Sequence, residues 1–375
     1  MAAHETTTTT ALPPVEHPLE DGWTLPASWY SSSVVHTLEL DRIFSRAWQY
    51  VGRADQLAEA GSFFASSVAH VPIVVVRDAE GVLRGYVNVY RHRGHLVADG
   101  AGCRATLQCP YHAWTYGLDG TLLKAPRSER EPDFDPGAFS LLPISVATWG
   151  PWVFANPDAE APSFDLLLDG VRDVVESSGL DLDDLVFRQR VEWDAPVNWK
   201  TALENYLECY HCSVAHPGLS KVVDVSPDAY EVVERPLSTS QYGRIRAGVR
   251  EGTTNAPYRP GEGIESAQYH HLWPNTTINI EAGRPNVGMD VWLPTAPGRS
   301  TGHTDYFFGS DVTEDEIAEI IAFSQQVGME DQSLVESVQA GLDSGAVPQG
   351  RLFGESERLI GHFQRRLHGA LTDAA

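Results

Sequence analysis

The first part of the chain alternates short apolar runs with turn residues, a pattern typical of short β-strands. Residues 72–77 and 83–90 predict two antiparallel strands around an Ala-Glu-Gly turn. Further strands are predicted at 114–116, at 121–124 behind the turn signal Leu-Asp-Gly, and at 149–155 before Asn-Pro. Several short strands with regular turns predict a small β-sandwich or barrel-like domain between residue 63 and about residue 156.

Beyond that point the apolar spacing changes to a mixture of helical and strand periods. Helices are predicted over 164–176, 198–211, 313–342 and 357–371. Strands are predicted at 186–193, 230–233, 241–246, 276–281, 287–293 and 303–308. Thr313-Glu-Asp-Glu316 has the pattern of a capping box and opens the longest helix. The second unit is therefore predicted to be an antiparallel sheet wrapped by helices, which makes the chain α+β.

We expect three parts along the 375 residues, a length that allows two domains with separate cores. Residues 1–44 are predicted to form an N-terminal arm, loose up to about residue 20, and a helix that packs on the second domain. Residues 45–157 are predicted to form the β-domain. Residues 158–375 are predicted to form the larger domain.

Composition limits the classes of protein to which the chain can belong but does not decide between them. Hydrophobic residues make up 42% and charged residues 21% of the chain, as in ordinary globular proteins. The longest apolar runs are too short to cross a bilayer and the N-terminus has no signal pattern, so we expect a cytoplasmic protein without membrane contact. The net charge of −24 argues against nucleic acid as a partner, and it fits a cationic substrate, a basic protein partner or solubility alone.

Ligand chemistry is concentrated between Asn198 and Pro217. On an ideal helix Glu208 and His211 would lie about 60° apart on one face, whereas His211 and His216 would lie about 140° apart. The two histidines can bind one ion only if the helix distorts or ends between them, and Pro217 is consistent with such an ending. Two imidazoles and one carboxylate with open positions form the facial arrangement of oxygen-activating iron.

Two other interpretations of this segment stay open. The histidines could belong to a polar helix end that binds no metal. Cys209 and Cys212 could instead take part in a zinc site, although one close cysteine pair without a second is a weak signal for zinc.

The third ligand of a mononuclear iron must come from elsewhere in the chain, and Asp331 in the long C-terminal helix is the best candidate. Leu334 and Val338 follow Asp331 at helical spacing, which indicates that its carboxylate points inward and needs a partner. Glu330 and Asp343 are local alternatives, because ordinary surface carboxylates would look no different at this level.

A second constellation lies in the predicted β-domain. His92 follows one predicted strand, and Cys109 and His112 form a Cys-x-x-His pair further along. Two short loops that each offer a histidine suit a small inorganic cluster, because a Rieske [2Fe–2S] centre uses two cysteines on one iron and two histidines on the other.

These two constellations, in this order, resemble those of the Rieske-type aromatic-ring-hydroxylating oxygenases, alpha subunit. The cluster signature of that family, Cys-x-His followed by Cys-x-x-His, is matched at His92, Cys109 and His112. Its mononuclear motif, Glu/Asp-x-x-His-x4-His, is matched at Glu208, His211 and His216. The resemblance covers nearly the whole chain, and the two motifs together are very specific.

The resemblance implies both cofactors and architecture. It implies a Rieske [2Fe–2S] cluster in the β-domain and mononuclear Fe(II) in a catalytic domain at 158–375, with Asp331 as the third iron ligand. Glu208 is implied to bridge the two centres between neighbouring subunits, and Asn205 is counted with it among the catalytic residues. The family usually forms trimers and receives electrons from a separate NAD(P)H-dependent reductase or ferredoxin.

Tyr90 stands where the family has its first cluster cysteine. Three interpretations are open at this stage. The chain could be a variant that loads the cluster poorly or not at all, the Tyr90 phenolate could act as a ligand, or Cys103 could reach into the site. A phenolate oxygen is harder than sulfur and less suited to an iron–sulfide cluster.

The resemblance also implies an activity. Glu208 followed by Cys-Tyr-His-Cys is similar to the branch acting on quaternary ammonium compounds, in which hydroxylation beside nitrogen leads to N-demethylation or C–N cleavage. We therefore expect an O2-dependent mono- or dioxygenase of a small quaternary ammonium substrate. An oxygenase of an aromatic ring or aromatic acid is the alternative substrate class. A non-catalytic metal-binding relative with a degenerate Rieske site is the alternative of another class.

Overall fold

A computed structural model describes residues 11–250, 258–259, 261 and 263–372. Its β-strands are Gln49–Arg53 (β1), Ser62–Val68 (β2), Val71–Arg77 (β3), Leu83–Val87 (β4), Ala101–Cys103 (β5), Thr106–Gln108 (β6), Thr115–Gly117 (β7), Leu122–Lys124 (β8), Pro143–Trp149 (β9), Trp152–Asn156 (β10), Leu185–Ala195 (β11), Val223–Asp224 (β12), Tyr230–Glu234 (β13), Ser238–Ile245 (β14), Ala267–Leu272 (β15), Thr276–Ile280 (β16), Asn286–Ala296 (β17) and Arg299–Gly309 (β18).

The α-helices of the described residues are Ser28–Ser31 (α1), Ser33–Arg42 (α2), Val171–Ser177 (α3), Trp199–Tyr206 (α4), Cys212–Ala215 (α5), Leu219–Val222 (α6), Ala247–Arg250 (α7), Glu314–Ser344 (α8) and Arg358–Thr372 (α9). Within the described ranges, none of these helices combines the length and the apolar character needed to span a bilayer.

The β-domain is built from two antiparallel sheets. A seven-stranded sheet has the order β1-β10-β9-β4-β3-β2-β5, and a smaller sheet has the order β6-β7-β8. Alternating valines of β3 face two different cores, because Val74 and Val76 pack with the small sheet while Val75 packs with β10. The loop after β4 and the loop between β6 and β7 therefore approach each other on the side of the small sheet.

The C-terminal domain is organised around an eight-stranded antiparallel sheet. Its order is β11-β18-β17-β16-β15-β14-β12, with β13 also paired to β14. Helices α4 and α8 contact each other near this sheet, and α4 also contacts β17. The α+β class and the order of a β-domain before a helix-wrapped sheet are confirmed.

Helix α8 shows how well a strong local signal defines an element. Thr313 is its N-cap and forms the predicted capping box with Glu316, each side chain bonding the other residue's backbone N–H. Gly345 ends the helix in the left-handed conformation, with φ of 63°. Helix α9, at Arg358–Thr372, also lies close to its predicted range.

Several predicted boundaries were wrong. The strand predicted over 149–155 begins only at Trp152, because Gly150 adopts a positive φ of 52° and turns the chain between β9, which ends at Trp149, and β10. The helix predicted over 164–176 begins only at Val171, after a 3-10 turn at Phe164–Leu166. Strand β15 was missed, since its buried Gln268, His270 and His271 obscure the apolar pattern of an interior strand.

Hydrogen bonds hold the described part of the N-terminal segment in place, both within the segment and to the C-terminal domain. The backbone N–H groups of Glu16 and His17 donate to Gln349, and the Trp29 indole donates to Pro13. The expectation of a loose arm therefore fails for residues 11–20, while residues 1–10 lie outside the described ranges. The buried Lys200 of α4 pairs with the buried Glu39 of α2 at 2.5 Å, which attaches the predicted N-terminal helix to α4.

Candidate active site

The loop after α4 positions the first candidate ligands. The helix predicted over 198–211 ends at Tyr206, because the Glu208 carboxylate accepts the backbone N–H groups of Tyr210 and His211 and holds a turn there. His211 precedes α5 and His216 follows it. The helix therefore ends before His211 rather than between the two histidines, and one short helical turn separates them.

The two imidazoles converge from the two ends of α5. The Nε2 atoms of His211 and His216 lie 3.1 Å apart, with the rings nearly perpendicular at 75°. His216 is almost fully buried, whereas His211 keeps about a fifth of its side chain exposed. An ion held here would be fixed on its buried side and open on the side of His211.

Asp331 reaches the same point from α8. Its Oδ1 lies 3.0 Å from His216 Nε2 and 3.4 Å from His211 Nε2. The reason given above for its inward direction was wrong, because Leu334 and Val338 are exposed. Val335, one helical turn after Asp331, is buried instead.

Each imidazole is oriented by a carboxylate on its far side. His211 Nδ1 contacts Glu208, as a ligand-orienting role requires, and His216 Nδ1 contacts Glu330 at 2.9 Å. Glu330 was weighed only as a substitute for Asp331, and its role toward His216 was missed. Its position next to Asp331 was the only available signal, and it does not distinguish a partner of histidine from a surface carboxylate.

The donor set fits a mononuclear metal ion. With protons on both Nδ1 atoms, the two Nε2 lone pairs and Asp331 Oδ1 face one another, and Oδ1 has no hydrogen-bond donor among the described residues. Adjacent ligands at about 2.1 Å from one ion and at right angles are about 3 Å apart, which agrees with the observed 3.0, 3.1 and 3.4 Å. Two histidines and one carboxylate on one face are the donors of non-haem iron.

At this site the neighbouring charges and burial shift the pKa values of the candidate ligands in opposite directions. Burial lowers the pKa of His211, but the neighbouring carboxylates of Asp331 and Glu208 raise that pKa to about 9. Burial raises the pKa of Asp331, but His211 and His216 lower it to about 2. The carboxylates therefore create a negative potential that favours a cation at the point where the three donors meet.

Three other residues that were singled out in this segment have different outcomes. Cys209 and Cys212 form a disulfide with an S–S distance of 2.01 Å, so the zinc site suggested for this pair is not supported. Asn205 lies in the last turn of α4, one residue before Tyr206, and its catalytic role stays a prediction.

Tyrosines and carboxylates cover the inner face of the sheet next to this centre. Tyr206 of α4 donates to Asn279 at 3.0 Å, and Tyr269 donates to Glu281 at 3.2 Å. Burial raises the pKa of Glu281 to about 7, against the hydrogen bonds of Tyr258 and Tyr269, which lower it. The side chains of Glu281, Tyr206 and Tyr269 are partly buried.

Asp290 adds a second carboxylate to this face. It accepts hydrogen bonds from Thr277 at 2.8 Å, Asn279 at 2.6 Å and Thr304 at 2.5 Å. Burial raises its pKa, and these three hydrogen bonds oppose the rise. The side chains found to bond Asp290 within the described ranges are all neutral, so its negative charge has no counterion among them.

The acidic sheet face is linked electrostatically to the candidate metal centre. The charges of Glu281 and Glu208 both act on the hydroxyl of Tyr230 and raise its pKa, although burial is the larger cause. Tyr230 is therefore close enough to feel the charges of both the acidic sheet face and the turn that precedes His211.

The β-domain brings its own predicted residues together. His92 lies in the loop after β4, and Cys109 and His112 lie in the loop between β6 and β7. The rings of His92 and His112 are 4.8 Å apart. Trp114 stacks on His92 at 5.2 Å, and Cys109 is fully buried.

Tyr90 lies between these residues. Its hydroxyl is 2.7 Å from His112 Nδ1 and 3.4 Å from His92 Nδ1, and its side chain is buried. Cys103 is exposed on β5, and its thiol faces the carbonyl of Ala60, so it does not supply the missing thiolate. The residues present therefore do not fit a Rieske cluster, because one cysteine is absent and a phenol contacts both histidine nitrogens.

Two protein-family models match the chain. The model "Ring hydroxylating alpha subunit (catalytic domain)" matches residues 182–373, and the model "Rieske [2Fe-2S] domain" matches residues 47–146. These two domains imply a mononuclear iron and a Rieske cluster as cofactors. In this chain the donors of the C-terminal domain fit a mononuclear iron. The donors of the β-domain do not fit a Rieske cluster, because Tyr90 stands in place of one cysteine.

Curated proteins and solved structures are similar over nearly the whole length. The carnitine monooxygenase oxygenase subunit of Acinetobacter baumannii is 32% identical over 353 residues, covering 91% of this chain and 93% of the relative. The chloroplastic choline monooxygenase of Atriplex hortensis is 32% identical over 362 residues, covering 94% and 79%. The crystal structure of a quaternary ammonium Rieske monooxygenase in complex with its substrate L-carnitine has a TM-score of 0.81 at 30% identity, covering 96% of this chain and 99% of that one.

Proposed function

Because this chain belongs to the Rieske-type ring-hydroxylating oxygenases, alpha subunit, we propose that it is an O2-dependent oxygenase of a small quaternary ammonium compound. It hydroxylates a carbon bonded to nitrogen, and loss of the hydroxylated carbon gives N-demethylation or C–N cleavage. His211, His216 and Asp331 hold the iron, which activates O2 when bound.

The acidic, tyrosine-lined sheet face is the observation that carries the substrate class. Glu281 and Asp290 are enclosed carboxylates whose described partners are neutral donors. Tyr206, Tyr230 and Tyr269 lie near these carboxylates, and aromatic rings attract quaternary ammonium groups. A neutral aromatic substrate would leave both carboxylates without a counterion, so this lining favours a cation.

The side chains of this chain position the substrate and the iron. Glu281 and the tyrosines hold the ammonium group, while Glu208 and Glu330 fix the two ligand imidazoles in one orientation. Tyr206 also fixes α4 against the sheet, because its hydroxyl bonds Asn279 and its backbone carbonyl accepts from Gln241. The reactive carbon is thus held near the open side of the metal centre.

Electron supply and assembly form the second part of the proposal. Hydroxylation with O2 consumes two electrons besides those of the substrate, and a separate NAD(P)H-dependent reductase or ferredoxin provides them. We propose a homotrimer in which Glu208 faces the β-domain of a neighbouring subunit. In support, Glu208 is partly exposed and exposed His92 offers a surface for such a contact.

Hydrogen peroxide tests the oxygenase activity without any electron donor. Peroxide supplies both the oxygen atom and the oxidising equivalents, so one C–H bond becomes C–OH and water is released. With iron-loaded protein we expect oxygenated product from quaternary ammonium substrates such as choline or carnitine, and none from the His211→Ala variant. Absence of product from all substrates, including aromatic acids, would contradict the proposal.

Glu281→Gln tests the substrate class. We expect KM for choline to rise at least tenfold, while KM for the neutral isostere 3,3-dimethylbutanol changes little, because only the cation needs the carboxylate. In the unmodified protein KM for choline should fall as pH rises through about 7, where Glu281 ionises, and the variant should lose this dependence. Both KM values come from peroxide-driven product formation.

Glu231→Gln is the matched control, since Glu231 is exposed and follows Tyr230 on β13. Its KM values should match those of the unmodified protein. If Glu281→Gln raised KM equally for choline and for the neutral isostere, the carboxylate would not recognise charge.

A further inference from the structure

We propose that Tyr90 takes the place of the inorganic cluster in this chain, so that its Rieske-type domain folds around a phenol ring and holds no [2Fe–2S] centre. The inference concerns the β-domain and goes beyond the oxygenase function proposed for the C-terminal domain. Only its consequence for electron supply rests on that function.

The side chain of Tyr90 reaches further into the site than a cysteine would. A cysteine thiol is bonded directly to Cβ, whereas the hydroxyl of tyrosine is separated from Cβ by the whole ring. Tyr90 uses this extra length to span the space between the two loops, and its hydroxyl lies 2.7 Å from His112 Nδ1. The same hydroxyl is 3.4 Å from His92 Nδ1. Both histidine nitrogens therefore face an oxygen of the protein at the position where a Rieske centre has its second iron.

The ring of Tyr90 is packed into the core of the β-domain. Tyr90 is buried and belongs to the same apolar core as Trp114, Cys109 and Tyr116. Trp114 meets the Tyr90 ring edge-on at 6.0 Å and stacks on His92 at 5.2 Å. The domain thus completes its core with side chains, and a cluster could enter only if the ring left.

The chain has too few cysteines at this site for a Rieske centre. Cys109 is buried at the site, Cys103 is exposed on β5, and Cys209 and Cys212 are joined in a disulfide of the other domain. These four are all the cysteines of the chain. A Rieske centre needs two thiolates on one iron, and this chain can provide one.

A consequence follows for electron supply. Hydroxylation by O2 turns one C–H bond into C–OH and reduces the second oxygen atom to water, which consumes two electrons and two protons. A homotrimer of this chain would have no cluster in any subunit. The two electrons must therefore come from a redox centre carried by another protein.

The metal and sulfide content of the protein as purified tests the inference directly. After anaerobic expression with added iron, we expect about one iron and no acid-labile sulfide per chain, as a [2Fe–2S] centre would add two of each. About three irons and two sulfides per chain would overturn it. Peroxide-driven product formation, measured on the same samples, reports the mononuclear centre alone, so failure of this inference and failure of the proposed function are distinguishable.

Substitutions at Tyr90 test whether this residue is the cause. Tyr90→Cys, reconstituted with iron and sulfide, should gain about two irons and two sulfides per chain and support reductase-driven turnover. Tyr90→Phe keeps the ring but loses the hydroxyl, and it should remain without sulfide. A folded Tyr90→Cys protein that loads its mononuclear iron but takes up no sulfide would contradict the assignment to Tyr90.

Discussion

At the scale of single residues, the mononuclear centre has two matching carboxylate–imidazole pairs. Glu208 orients His211 and Glu330 orients His216, each through the nitrogen that faces away from Asp331. A carboxylate partner fixes both the ring orientation and the position of the proton, and it makes the opposite nitrogen a better donor. The two pairs differ in exposure, since His216 is more buried than His211 whereas Glu330 is more exposed than Glu208.

Glu330→Gln should weaken iron binding by about 10-fold to 100-fold, because loss of such a partner has that effect on other metal sites. Titration with a chelator and measurement of retained iron would check this. Glu336→Gln is the control, since Glu336 lies on the same helix and accepts a hydrogen bond from Gln332 near the surface. Equal iron affinities in the two variants would show that Glu330 does not orient His216.

The sequence identified the candidate metal ligands more readily than their surroundings. His211 and His216 were selected because two histidines and a carboxylate in one short segment are the donors of oxygen-activating iron, and the structure brings them together with Asp331. Asp331 was selected through an apolar face that proved to be the wrong one. Glu330 had no distinguishing signal. Glu281 and Asp290 could not be selected either, because a carboxylate on a strand reveals its burial only when the sheet is assembled.

At the scale of elements, α8 positions Asp331 through one narrow buried stripe. Val335 packs against Val197 and Ala202 at the base of α4, whereas Leu334, its neighbour in sequence, is 37% exposed. The long helix is mostly polar around its circumference, so the direction of this stripe decides where the carboxylate points.

Val335→Ala and Leu334→Ala provide a test of that stripe. Val335→Ala should lower the free energy of unfolding by about 2 kcal/mol, because it removes two buried methyl groups and leaves a cavity. Leu334→Ala removes a larger side chain but should cost no more than about 0.5 kcal/mol, because it is a surface substitution. Urea unfolding of both variants measures the difference, and a larger loss for Leu334→Ala would place the buried stripe on the other face.

The elements themselves were predictable where a local signal dominates. The capping box of α8 fixed its start, and the alternating strands β17 and β18 lie close to their predicted ranges. The prediction of a helix over 198–211 was wrong at its C-terminal end. The Glu208 carboxylate accepts the backbone N–H groups of Tyr210 and His211, so α4 ends early. Competition between a side chain and the helix for the same N–H groups is not visible in apolar spacing.

At the scale of the whole molecule, distant segments of the chain meet at α4. Tyr30 of α1 donates to Glu204 at 2.6 Å, and Gln364 of α9 donates to the same carboxylate at 2.9 Å. Glu39 of α2 accepts from Trp199 and from Lys200. The N-terminal and C-terminal segments are therefore joined through polar groups of the helix that leads to the metal centre.

This junction predicts a pH dependence of stability. Burial raises the pKa of Glu204 to about 7 from 4.5, although hydrogen bonds from Tyr30 and Gln364 oppose the rise. A group with a raised folded-state pKa binds more protons in the native state, so its contribution is fully present below pH 4.5 and is lost as pH rises through about 7. The loss attributable to Glu204 amounts to up to about 3 kcal/mol.

Glu204→Gln should remove this part of the pH dependence, because the amide oxygen still accepts from Tyr30 and Gln364 but does not ionise. The free energy of unfolding from urea titrations at pH 5, 6, 7 and 8 should therefore fall less in the variant than in the unmodified protein. Glu336→Gln serves again as the control and should follow the unmodified curve. Parallel curves for Glu204→Gln and the unmodified protein would mean that the junction tolerates the ionised carboxylate, and that its hydrogen bonds offset the cost of burial.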